Sequence, residues 1–185
     1  MPSETIPSSE VVQLCQLDEL VCLRVNHPNA QALIALQGAQ LLSYTPSGSN
    51  PVIWLSETAA FRRGKAVRGG IPICWPWFGE ATANPEDVQD QLGVGPLPAH
   101  GWVRDQPWHL DGLDVDETGV TLKFSYPLPV GIERPAFGGL ELSMEMSIGR
   151  ELQLALTTRN PGAHHVAISQ ALHSYFAVSH IENVA

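Results

Sequence analysis

From Leu140 to Ile148 the chain reads Leu140-Glu141-Leu142-Ser143-Met144-Glu145-Met146-Ser147-Ile148. Every even position is apolar and every odd one polar, the period that sends successive side chains to opposite faces of a strand. After Gly149-Arg150 the even parity resumes with Leu152, Leu154 and Leu156. Directly opposed residues of an antiparallel pair share a face. A two-residue turn at 149–150 would oppose Ile148 to Glu151 and send the three leucines to the wrong face. The sequence therefore predicts a hairpin closed by an odd-length loop or a bulge.

The same period recurs on the N-terminal side. Val120, Leu122 and Phe124 alternate with Thr121, Lys123 and Ser125, and the pattern stops before Pro127 and Pro129. Over residues 20–26, Val21, Leu23 and Val25 take one parity and Cys22, Arg24 and Asn26 the other, which predicts a half-buried strand ended by His27-Pro28-Asn29. Ala32 to Tyr44 reads as two strands, with Gly38 at a bulge or turn between them. Residues 45–51 are a loop by composition, and Val52-Ile53-Trp54-Leu55 is expected to form a short buried strand. On the C-terminal side, Val166 to Val178 reads as a further strand or two, while Ala81 to Pro98 is the long polar loop. Sixteen glycines and fifteen prolines in 185 residues interrupt the chain too often for long helices. The fold class is mainly β.

A length of 185 residues suits one domain spanning 1–185, with residues 1–10 expected to be a disordered tail. Charged residues at 16% are too few for a disordered or coiled-coil chain. Ten basic against nineteen acidic residues leave a net charge of −9, which repels polyanions, so neither nucleic acid nor an anionic membrane is an expected partner. Met1 to Glu10 has neither the basic nor the apolar region of an export signal, and no long apolar run follows. Three cysteines, Cys15, Cys22 and Cys74, form no Cys-x-x-Cys pair. These features point to a soluble protein of a reducing cytoplasm.

Four of the ten basic residues, Arg62, Arg63, Lys65 and Arg68, crowd together beside Gly64, Gly69 and Gly70. A guanidinium matches phosphate oxygens in pairs, although the first three could equally form a solvated turn. Arg68 opens the aromatic run Gly69-Gly70-Ile71-Pro72-Ile73-Cys74-Trp75-Pro76-Trp77-Phe78-Gly79, where an anionic partner is expected, either a ligand or an internal carboxylate. Trp75, Trp77 and Trp102 have the faces to stack on a sugar ring, and core packing is the competing role for each. In Leu97-Pro98-Ala99-His100-Gly101-Trp102-Val103-Arg104, an extended backbone would put His100 and Arg104 on one side. His173, in Gln170-Ala171-Leu172-His173-Ser174-Tyr175-Phe176, has the neutral-range titration that proton delivery to an oxygen requires, with a satisfied core histidine as the alternative. His164 and His165 would point to opposite faces of a strand, which disfavours a shared metal.

Taken together, the runs Arg68–Gly79, Leu97–Arg104 and Ala171–Phe176, with Ala35-Leu36-Gln37-Gly38-Ala39-Gln40-Leu41, resemble the glucose-6-phosphate 1-epimerase family. These are hexose-6-phosphate mutarotases, a branch of the aldose 1-epimerase group. The resemblance implies an antiparallel β-sandwich of the galactose-mutarotase type and an isomerase that interconverts the α and β anomers of hexose 6-phosphates. By the same resemblance, His173 matches the histidine that protonates the ring oxygen and His100 a second histidine near the anomeric centre. Arg68 and Arg104 match the arginines that hold substrate. The implied chemistry uses an acid and a base on different oxygens, with no metal or cofactor. The family's general base is a glutamate far downstream of its catalytic histidine, and Glu182 does not match it. The expectation is accordingly a sandwich truncated at its C-terminus, with a non-catalytic sugar or sugar-phosphate binding domain as the rival reading.

Overall fold

Two antiparallel meanders account for eight of the ten strands in the computed structural model, which describes residues 10–93, 95–128, 137–180, 182 and 184. The first joins β1 (Val12–Leu17), β2 (Leu20–His27), β3 (Ala30–Ala35) and β4 (Gln40–Pro46) in sequence order. A two-residue β5 (Ile73–Cys74) follows. The second meander is β6 (His109–Val115), β7 (Gly119–Tyr126), β8 (Glu141–Gly149) and β9 (Leu152–Arg159), after which β10 (Ala171–Leu172) returns to pair with β5. The expected tail at 1–10, apart from Glu10, and Pro129 lie outside the described residues.

The β8–β9 hairpin closes as its parity requires. Ile148 pairs with Leu152, so the loop is the three residues Gly149, Arg150 and Glu151, and Met144 faces Leu156 while Met146 faces Leu154. Leu140, Leu142, Met144, Met146 and Ile148 are all buried, as are Val120, Leu122 and Phe124 on β7. They share one core with Leu23, Val25, Ile34 and Leu41 of the first sheet, so the two sheets make a sandwich. Side-chain hydrogen bonds join the sheets at one end. The His27 ring bonds the Asp116 carbonyl at 2.9 Å, the Asn29 side chain donates to the carbonyls of Glu117 and Thr118, and the Tyr44 hydroxyl donates to that of Gly149.

On β4 a bulge serves both sides of the first sheet. Leu33 pairs with Ser43 and Ile34 with Leu41, leaving Leu42 as the extra residue. Leu41 and Tyr44 thereby both reach the sandwich core despite their opposite parity, while Leu42 turns to a second small core with Leu20, Cys22, Ala35 and Val67. That second core corrects the half-buried pattern expected for β2. Cys22 is fully buried because the segment around Val67 covers the outer face, whereas Val21 is exposed.

Two other expectations need correction. Val52–Leu55 is not a strand: Ile53 and Leu55 make isolated bridges to Phe176 and Gly69, and Trp54 is exposed. Of Val166–Val178 only Ala171–Leu172 is regular strand, and the remainder is held by single backbone bonds such as Trp54 N–H to the Tyr175 carbonyl. The polar loop at 81–98 contains a 3-10 turn, Ala81–Ala83, and one helical turn, α1 (Glu86–Gln89).

Candidate active site

Beside the sandwich, the segment through residues 70–75 is braced on both sides. Gly70 N–H donates to the Trp54 carbonyl and Ile71 N–H to that of Leu41, while Tyr175 N–H and His173 N–H donate to the carbonyls of Gly70 and Pro72. The buried Gln40 side chain donates to the Val67 and Gly69 carbonyls, at 3.3 and 2.6 Å. Gly69 and Gly70 both have φ in the left-handed region, at 107° and 70°. A Cβ on Gly69 would stand 2.8 Å from the Trp54 oxygen. The two glycines are therefore required by close backbone approach, and Arg68 is carried on an edge that Gln40 holds rigid.

His100 reaches the same place by a turn, not by an extended backbone. Its φ is 67° and that of Gly101 is 76°. Gly101 bridges Trp75, and Trp102 N–H donates to the Trp75 carbonyl. His100 N–H donates to the Gly79 carbonyl, and Gly79 N–H donates back to His100 Nδ1 at 3.1 Å. That second bond fixes the tautomer of neutral His100: Nδ1 accepts, so the ring proton sits on Nε2, which is a donor.

These two routes bring together histidines that are far apart in the chain. The His100 and His173 rings lie edge to face with centroids 5.8 Å apart. Burial, then the positive charges of Arg104 and His173, push the His100 pKa below its ordinary value, with Glu80 acting the other way. Arg104 also acts on Cys74, whose thiol burial raises to about 11. The Arg104 charge thus lies within electrostatic reach of both β5 and His100. His173 Nδ1 is buried and has no hydrogen-bond partner among the described residues.

Arg68 is exposed, and its segment runs antiparallel beside that of His173. Among the described residues neither Arg68 nor Arg104 is paired with a carboxylate. The internal-partner option for Arg68 is therefore unfilled here. Arg62, Arg63 and Lys65 form the solvated turn, with Gln37 donating to the carbonyls of Arg62 and Lys65 and Arg63 bonding Glu19.

The tryptophans take the competing role. Trp75 is fully buried, donates its indole N–H to Thr158 Oγ1 at 3.0 Å and packs edge-on against Phe137. Trp77 and Trp102 are buried against each other, with ring centroids 4.6 Å apart. None of the three keeps an open face, which corrects Trp75 as a stacking platform. The residue that sequence reasoning passed over is Phe78, 42% exposed and in ring contact with both histidines. Tyr175, whose ring lies 4.7 Å from that of His173, is the other. Both stand inside the motifs quoted above, but nothing local separates an exposed ring from a buried one. Among the described residues no three His, Cys, Asp or Glu side chains converge as a metal centre would need, and no helix is long and apolar enough to cross a membrane.

Comparison with known proteins points one way. The aldose 1-epimerase family model matches residues 21–185. A Salmonella typhimurium protein named "Putative glucose-6-phosphate 1-epimerase" is 39% identical over 169 residues, which are 91% of this chain and 52% of that protein. The crystal structure of a "putative mutarotase" from Salmonella typhimurium superposes with a TM-score of 0.77 at 36% identity, covering 92% of this chain and 52% of that one. A galactose mutarotase-like protein from Clostridium acetobutylicum, 14% identical, shares the fold with a TM-score of 0.66 over 89% of this chain and 53% of its own. The chain spans about half the length of the curated relatives it matches.

Proposed function

The chain belongs to the aldose 1-epimerase family, and on that premise we propose that it is the part of a hexose-6-phosphate mutarotase that binds the phosphosugar and supplies the acid. The observation that carries this reading is the meeting of His100 and His173, rings 5.8 Å apart, with the Arg104 charge acting on one of them. Ring opening needs a proton delivered to the ring oxygen while another is taken from the anomeric hydroxyl; rotation about C1–C2 then lets the ring close on either face. His173 delivers the first proton. Neutral His100, a donor at Nε2, holds a sugar oxygen by hydrogen bond. With its Nδ1 engaged by Gly79, it cannot also be the base. Arg68 and Arg104 take the 6-phosphate, whose charge their unpaired guanidinium groups match.

The decisive experiment combines polarimetry with calorimetry. Arg68→Ala should weaken glucose 6-phosphate binding by about 1.5–3 kcal/mol, the scale of a hydrogen bond to a charged group, and leave glucose little changed. Equal losses for both sugars would refute phosphate recognition. The second reading, a binding module without catalysis, is favoured by the donor-only state of His100. Glucose 6-phosphate binding with no acceleration of anomerisation would establish it.

A further inference from the structure

Phe78 is a large apolar side chain left 42% exposed, yet it is anything but loosely held. On its C-terminal side, Gly79 exchanges two hydrogen bonds with His100. Its own carbonyl accepts from Asn84 Nδ2 at 3.1 Å, and Asn84 is itself buried, donating also to the carbonyls of Glu80 and Ala81. The ring packs nearly parallel to His173, at 5.7 Å and 28°, and tilted against His100 at 5.1 Å. A pinned aromatic ring that faces solvent between two titratable rings has the form of a binding platform, because fixing it in water gains nothing unless something apolar covers it. The three tryptophans close by cannot serve, being buried.

We propose that Phe78 is the surface on which the sugar ring lies, its C–H face against the phenyl ring and its oxygens turned to the histidines. The inference rests on the hexose-phosphate reading of the site and adds to it the group that positions the pyranose. Phe78 reads the ring and not the phosphate, since an apolar face offers an anion nothing. Its loss should therefore depend on whether the ligand has a ring.

Calorimetry on the full 185-residue chain with two probes tests this. The probes are glucose 6-phosphate and sn-glycerol 3-phosphate, which carries the phosphate without a pyranose. Phe78→Leu keeps apolar volume and removes the aromatic face. It should weaken glucose 6-phosphate by about five- to tenfold, the scale of one aromatic contact, and leave glycerol 3-phosphate unchanged. Phe78→Tyr should restore the glucose 6-phosphate affinity. Unchanged glucose 6-phosphate binding by Phe78→Leu, or equal loss of both probes in both variants, overturns the platform while the phosphate site stands. A parent chain that binds neither probe overturns the hexose-phosphate reading itself, and the platform with it.

Discussion

Gly101 offers a test of how the site is built. It follows His100 at φ 76°, and a Cβ there would run into the Trp75 carbonyl oxygen, a backbone atom that cannot swing aside. Gly48 has nearly the same φ, 75°, and a Cβ there would meet nothing within 4 Å. Both alanine variants incur the left-handed backbone cost, about 1–2 kcal/mol, and both gain equally from a stiffer unfolded chain. Gly101→Ala carries in addition the cost of overpacking, about 1–3 kcal/mol, for a total of about 2–5 kcal/mol. The two variants should then melt roughly 2–12 °C apart, at the 2–4 °C per kcal/mol of a chain this size. Denaturant titration gives the same difference without heating. The His100 ring resonances should move in Gly101→Ala and stay in place in Gly48→Ala. Equal destabilisation by the two substitutions would refute the claim that contact with the Trp75 backbone sets the His100 turn.

The pH dependence of stability should carry a His100 contribution of definite sign. Its pKa is lowered on folding from the ordinary 6.5, so the unfolded chain binds the proton first; stability held above that value is lost as pH falls through the folded pKa. His100→Asn, which tolerates positive φ, should flatten the decline below pH 6.5 in denaturant titrations compared at successive pH values. Gln40→Leu should strand the Val67 and Gly69 carbonyls at a cost of about 1–3 kcal/mol, with faster tryptic cleavage after Arg68. β9 ends its sheet with an uncharged run from Leu152 to Thr158 and half-buried leucines, so the chain should self-associate; Gln153→Lys with Thr157→Lys, both on the exposed face, should lower the sedimentation-velocity mass.

Strands β7, β8 and β9 of the second sheet were legible because each is specified within its own few residues, whereas β6, whose register shifts between Leu110 and Gly112, carries no clean period of two and was not anticipated. The parity of Leu140 to Ile148 and of Leu152 to Leu156 required an odd loop, and three residues supply it. Both faces of β2 proved covered at Cys22, by contrast, because a cover arrives from Val67, far along the chain, and no local period records it. Val52–Leu55 and Val166–Val178 misled for the opposite reason. Their apolar composition reflects packing against several partners at once, held by single bridges and not by a ladder.

At the site, the order of residues along the chain set which side-chain chemistries were available and in which motifs, namely two histidines, two arginines and a run of aromatics. It determined also that Gly69, Gly70 and Gly101 could take backbone conformations closed to other residues. Which of these meet depended on contacts between distant parts of the chain. His100 and His173 converge because a left-handed turn docks on the Trp75 carbonyl while residues 171–175 run back along residues 70–74. Trp75 is buried and Phe78 partly open, three positions apart, because Phe137 and Thr158 come from distant strands and loops to enclose one ring, while the other keeps exposed surface beside the two histidine rings. Burial is a property of what the rest of the chain brings to a residue, and long-range contact of that kind leaves no periodic trace in the sequence that it covers.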